Sequence, residues 1–377
     1  MNPTYGSPFP NNAQELLLKS CLLEGDEMLS AYKEWKTFVD FETDVEHGSF
    51  RQLPLLYHNL NTNNIEDDLV PRLKGIYRQA WSKNQLLFFK TGKVIQLLHA
   101  AGIRTIVLKG IALSILAYKN YAVRPMADMD IMVPTSQVKQ TWDLLLNNGW
   151  HSLDAVHDGY NFDNNKSITL VNEDKTELDL HWHPFDECLG LMKENDFWDM
   201  AVPLTVSGQK TLALCPADEL LLTFVHGLMP NPEPPIRWIA DSMCLINSKD
   251  LIIDWERLVG YAKKFSVIIQ VKEALKYLSE NFGAQVPSEV YAHISTIKPS
   301  FADKLMYRKK GVFVYHPSFK KIFTAYMTFL KDPSKKGMVA KHIAFVNFVR
   351  ERSKGKPHFR ILIHYFSIIM KYRKAKK

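Results

Sequence analysis

The chain has 377 residues, 46% hydrophobic and 23% charged, an ordinary globular composition with length for two or three domains and a sizeable core. Its four cysteines, Cys21, Cys188, Cys215 and Cys244, show neither zinc-knuckle nor CxxC spacing, which argues against a disulfide framework and for a reduced, cytoplasmic setting. The net charge of +7 conceals an asymmetry: residues 301–377 hold 20 Lys and Arg against three acids, while residues 1–300 hold 27 against 37.

The opening residues, MNPTYGSPFPNNAQ, carry no positive n-region and no apolar stretch, so no secretory leader is expected. Residues 1–100 read as an N-terminal helical region. Apolar residues recur three and four apart in AQELLLKSCLLEGDEMLSAYKEW and again in LVPRLKGIYRQAWSKNQLLFFKTGKVIQLLHAAG, which stops at Gly102. Trp and Phe at this spacing in 78–98 are predicted core rather than a base-stacking platform.

The pattern changes over 101–185. RTIVLK reads as a strand, GIALSILAYKN as a short helix and ADMDIMV as a second strand. TSQVKQTWDLLLNNGW reads as a helix with Thr135 or Ser136 as N-cap and Gly149 as C-cap. SITLV and ELDLHWH are two strands joined by the turn-like NEDK. The order β-α-β-α-β-β predicts a small sheet module. Residues 186–300 return to helical periodicity, beginning with PADELLLTFVHGLM, whose acids fall in the first turn. Residues 301–377 form a basic, helix-like segment.

Two aspartates interrupt the apolar second strand. Residues i and i+2 share a strand face, so Asp128 and Asp130 project together, while Met129, Ile131 and Val133 face the other way. Side-by-side carboxylates repel, and a divalent cation such as Mg²⁺ relieves the repulsion. On the later strand, Glu177, Asp179, His181 and His183 share a face, which offers a third carboxylate. Three acids in one small sheet make a plausible two-metal site for phosphoryl or nucleotidyl transfer. The glycine in LKG, Gly110, ends the first strand where a helix begins, a place where backbone can approach a phosphate.

The order LKG…R…DMDIMV…ELDLHWH resembles the nucleotidyltransferase superfamily. Within it, LKGIAL, VRPMADMDIMV and LDLHWH resemble the bacterial nucleotidyltransferase family often labelled uncharacterised, and PADELLLTFVHG…IRWIADSMCLI…IDWERL resembles its C-terminal helical part. The likeness spans roughly residues 15–280. It implies an α+β fold with a small mixed-sheet, polymerase-beta-like core flanked by N- and C-terminal helical regions. It also implies Mg²⁺, binding of a nucleoside triphosphate such as ATP, and transfer of a nucleoside monophosphate with pyrophosphate released. By position, Asp128 and Asp130 match the paired metal ligands, Asp179 the third carboxylate and Gly110 the glycine of the turn. Ile111 stands where the superfamily usually has Gly or Ser, so phosphate contacts fall to Lys109 and Arg124.

Several roles stay open at this level. Arg124 either steadies a triphosphate or pairs with an Asp. His181 and His183 are candidate metal ligands, and His226 reads as surface or packing. Arg237 and Asp241 sit four apart and read as an intrahelical pair. Competing functions are a D-x-D glycosyltransferase, a metal-dependent hydrolase built on the H-x-H of LHWH, and a non-catalytic nucleotide-binding module of the same fold. The first needs a βαβ unit before its motif, where this chain reads helical. The second needs further ligands on later strands, where it again reads helical. The acceptor, whether small molecule, peptide or RNA, is not encoded in any motif. No run reaches the roughly 18 apolar residues of a membrane span. The basic 354–377 stretch, with ILIHYFSIIM at its centre, is expected to cap the body or to meet a polyanion or anionic membrane.

Overall fold

Alternation in the D-x-D strand sets the sheet's two faces, and the helices follow from which face each must cover. The computed structural model describes residues 7–152, 162, 165–229 and 235–300, with isolated positions between 303 and 345. The basic 354–377 stretch lies outside the described residues.

Among the described residues, five helices precede the sheet: α1 (Asn12–Leu22), α2 (Gly25–Phe38), α3 (His47–Phe50), α4 (Leu53–Thr62) and the long α5 (Val70–Ala100). The start of α1 is fixed by a capping box, in which the Asn11 side chain accepts from Gln14 N and the Gln14 side chain accepts from Asn11 N, both at 2.9 Å. α5 ends where the periodicity ends, and Gly102 takes the left-handed φ of +72° that turns the chain into the sheet.

Among the described residues, seven strands form one mixed sheet: β1 (Ile106–Val107), β2 (Asp128–Met132), β3 (His151–Ser152), β4 (Ser167–Val171), β5 (Glu177–His181), β6 (Val202–Val206) and β7 (Gln209–Ala213), in the order β3-β4-β5-β2-β1-β7-β6. β2 lies antiparallel to β1 and parallel to β5, and β1 lies parallel to β7. The β6–β7 hairpin extends the sheet beyond the strands read from the sequence. Its two-residue turn, Ser207-Gly208, has φ of +48° and +81°, the doubly positive turn that matches strand twist. α6 (Lys109–Leu116) and α7 (Val138–Asn147) connect the early strands. α7 begins later than predicted because the Thr135 and Ser136 hydroxyls donate to Glu194 instead of capping it.

After the sheet come α8 (Pro216–Gly227), α9 (Arg237–Ile246), α10 (Trp255–Lys264), α11 (Ile268–Phe282) and α12 (Ser288–Thr296). α8 and α9 pack so closely that a Cβ on Gly227 would lie 2.2 Å from Trp238 Cβ. None of the helices among the described residues is long and apolar enough to cross a membrane.

The sheet separates two apolar cores. Met129, Ile131, Val133, Leu178, Leu180 and Trp182 bury against α5 and α7 on one side. Ile106, Leu108 and Met132 join the other core, built with α1, α2, α4 and α8–α12. Asp128 and Asp130 alternate with the first set along β2, so they face the side on which the N- and C-terminal helices meet.

Candidate active site

Strand register decides which carboxylates meet. In the parallel β2–β5 pair, Asp130 lies opposite Asp179, Asp128 opposite Glu177 and Met132 opposite His181. Asp128, Asp130 and Asp179 all line one cavity of about 510 Å³, a size that suits a small ligand. Asp130 is buried, and Asp128, at the mouth of β2, is the more exposed of the two but lies on the cavity wall, partly withdrawn from water.

The acids are not left to repel one another. Lys109 Nζ donates to Asp130 Oδ1 at 2.5 Å, and His181 Nε2 lies 3.0 Å from the same oxygen. Burial alone would raise the Asp130 carboxyl, but the Lys109 charge and the His181 hydrogen bond hold it well below the usual range. Asp128 is pushed up, first by removal from water and then by the neighbouring Asp130 charge. Burial opposes the Lys109 charge, yet the carboxylates, Asp130 foremost, outweigh it and raise that ammonium. The Thr169 hydroxyl donates to Asp179 Oδ1 at 2.6 Å and fixes its orientation. Ligand atoms of Asp130, Asp179 and His181 lie within 4.8 Å of one another, a group that can hold a metal ion. Asp130 Oδ2 accepts no hydrogen bond among the described residues, which leaves an oxygen for such an ion.

His183 lies outside this group. β5 ends at His181, because Trp182 N and His183 N both turn to the Lys166 carbonyl, at 2.9 and 3.1 Å. The His183 ring is buried, which pushes it down to about 4, and its Nδ1 lies 3.4 Å from Met192 Sδ.

The turn into α6 differs from expectation in one respect. The left-handed residue is Lys109, with φ of +48°, not Gly110. A side chain there is strained, and two bonds offset the strain: Lys109 N donates to Glu219 Oε1 and Leu108 N to the Asp130 carbonyl, both at 3.0 Å. Gly110 serves another purpose. A Cβ there would lie 2.7 Å from Arg124 Nη1 and 2.8 Å from Met126 Sδ, so the glycine makes room for these side chains. Ile111 is buried, and the hydroxyl one turn on, Ser114, donates to the Gly110 carbonyl at 2.8 Å.

Arg124 takes the ion-pair alternative, with a partner on a distant helix. Its Nε and Nη2 donate to the two Asp241 oxygens at 2.8 and 2.9 Å, and the Tyr118 hydroxyl donates to the same carboxylate at 2.8 Å. Asp241 is therefore not paired within α9 as its spacing suggested. Arg237 instead donates to the Pro125 carbonyl at 2.8 Å. His226, on the last turn of α8, faces the cavity.

Glu219 was legible only as a first-turn acid. It is 3% exposed, and its Oε2 has no hydrogen-bond partner among the described residues. Burial raises its carboxyl to about 8, against the pull of Arg124 and Lys109 and with the help of Asp241. Between about 4.5 and 8 the folded state keeps a proton that the unfolded state loses, so this group's contribution to stability falls as pH rises through that window. Glu219→Gln keeps an acceptor for Lys109 N but cannot ionise. Urea unfolding at pH 5 and pH 8 should show a wild-type decline that the variant lacks, on the order of 2 kcal/mol. Equal declines in the two proteins would show that Glu219 is ionised throughout.

A protein-family profile described as uncharacterised nucleotidyltransferase matches residues 51–283. No curated protein matches the chain. Two solved structures are similar in part. The antibiotic-resistance factor ANT(2'')-Ia has 12% identity over 53% of this chain and 97% of its own, with a TM-score of 0.35. An antigenic nucleotidyltransferase-like protein from Paracoccidioides brasiliensis has 12% identity over 59% and 96%, with a TM-score of 0.33.

Proposed function

The chain belongs to the uncharacterised nucleotidyltransferase family, and from that premise we propose that it moves a nucleoside monophosphate from a nucleoside triphosphate to a hydroxyl or phosphate acceptor. The observation that carries the reading is the pairing of Asp130 with Asp179 across β2 and β5, with Asp128 two residues away on the same cavity wall. Asp128, Asp130 and Asp179 would hold Mg²⁺, and His181 stands close enough to hold Asp130 in place. When bound, the ion would supply the charge that offsets the phosphate oxygens and the departing pyrophosphate.

The chain's own residues have distinct tasks in this reading. The acceptor oxygen attacks the α-phosphorus, the bond to the bridging β-phosphate oxygen breaks, and pyrophosphate leaves. Asp179, held by the Thr169 hydroxyl, takes the acceptor's proton. Lys109 balances Asp130 and lies within the cavity where it can turn to a phosphate, and the Lys109–Gly110 turn presents the start of α6 to the same space. Arg124 supports the nucleotide site from behind, through Asp241 and its contact with Gly110.

The test is incubation of the full chain with each α-labelled triphosphate, Mg²⁺ and pools of small hydroxyl compounds, peptides and RNA. Pyrophosphate release with label on one pool is the expected result. Triphosphate binding without pyrophosphate release from any pool would overturn transfer in favour of a nucleotide-binding module.

A further inference from the structure

The two cations that the sequence singled out for phosphate are already engaged, Lys109 with Asp130 and Arg124 with Asp241. Two other arginines line the same cavity without a carboxylate partner among the described residues. Arg51 makes no side-chain bond there, and Arg237 has only the Pro125 carbonyl at 2.8 Å. We propose that Arg51 and Arg237 form a clamp for the β- and γ-phosphates of the triphosphate, an assignment that rests on the transfer reading above.

Three observations support it. The two guanidiniums line one cavity, and burial first, then the Arg124 charge, lower Arg237 to about 10 against the pull of Asp241, with a smaller push from Arg51. Like charges held in one partly buried cavity are costly, and a polyanion between them removes that cost. Arg237 is the first residue of α9, a ten-residue helix with no side-chain cap and no acid in its first turn. The positive dipole end of that helix therefore adds to the guanidinium charge. Finally, the clamp shares its cavity with Asp128, Asp130 and Asp179, so one extended ligand can touch both ends.

The pairing also gives the N-terminal helical region a task. Arg51 directly follows α3, and His47, which opens α3, lies on the same cavity wall. Helices before and after the sheet thus each supply one arginine. Arginine suits the role because its planar fork matches two phosphate oxygens at once.

The experiment is calorimetric titration of the full chain with Mg²⁺ and each of four ligands sets: the four nucleoside triphosphates, the matching monophosphates, inorganic tripolyphosphate and inorganic phosphate. Arg51→Ala and Arg237→Ala should each weaken triphosphate and tripolyphosphate binding about tenfold or more, the effect of one charged hydrogen bond. Monophosphate binding should change little. Arg51→Lys and Arg237→Lys, which keep a charge without the fork, should recover part of the loss. Thermal melting of each variant separates misfolding from lost contacts, and the Lys variants carry the test should an Ala variant melt early.

Triphosphate binding by the wild type that is unchanged in all four variants would overturn the clamp and leave the transfer reading standing. An equal loss for mono- and triphosphates would also overturn it, placing the arginines elsewhere on the ligand. Arginine-dependent binding of tripolyphosphate with no binding of any nucleotide would overturn both transfer and the clamp as a nucleotide site, leaving the arginines as a polyphosphate contact. No binding of any of these ligands by the wild type would overturn both.

Discussion

Asp128→Asn is expected to lower kcat/KM for pyrophosphate release at least about a thousandfold, while the melting temperature stays the same or rises. The loss follows from removing a charged ligand at the place where transition-state charge is offset, worth roughly 4 kcal/mol at that ratio. The gain in stability has a separate cause. Asp128 carries its charge beside Asp130, and both partial burial and that neighbour disfavour its ionised form. Asparagine keeps the shape and removes the repulsion. Asp130→Asn makes the contrast, because Asp130 receives both Lys109 and His181. That variant should lose activity and stability together. Full activity of Asp128→Asn with Mg²⁺ present would show that this carboxylate holds no ion needed for transfer.

Arg124→Met is expected to destabilise the fold by about 3–5 kcal/mol, the cost of leaving a buried charge unpaired. Arg124 and Asp241 side chains are 5% and 7% exposed and are joined by two hydrogen bonds, so water cannot replace the missing partner. A thermal melt should fall by roughly 5–15 °C. The double variant Arg124→Met, Asp241→Leu should recover most of this, since apolar groups of similar volume replace a buried pair at little cost. The Tyr118 hydroxyl, which also donates to Asp241, sets a limit on that recovery. If instead Arg124→Met melts like the wild type and only loses triphosphate affinity, the arginine serves the ligand rather than the fold.

The same two sites mark how far the sequence could be read. The sharing of one strand face by Asp128 and Asp130, and the opposite burial of Met129, Ile131 and Val133, follow from the two-residue period of a strand, which any local window contains. The stop of α5 at Gly102 and of α7 at Gly149 is equally local, since both glycines take left-handed φ. The β6–β7 hairpin carried a local signal too, in alternating VPLTV, the Ser207-Gly208 turn and QKTLA, within a span that reads as helical because of the periodicity from residue 216 onward.

Partnership across the chain was decided only by tertiary structure. Strand parity puts Asp179 on a face, but the parallel register of β2 with β5 puts it opposite Asp130. Spacing paired Asp241 with Arg237, four residues away, yet the packing of α9 against the loop between α6 and β2 offered Arg124 a buried bidentate geometry that an exposed intrahelical pair cannot match. Glu219 reads from the sequence only as a first-turn acid of α8, and its bond to Lys109 N appears only where that helix meets the Lys109 turn. Arg51 lies in a stretch with no motif, and it reaches the cavity only because α3 and α4 fold back beside the sheet. The reason is common to all four. Periodicity and turn chemistry depend on neighbours along the chain, whereas the choice of partner for a buried charge depends on which groups the folded core removes from water with it.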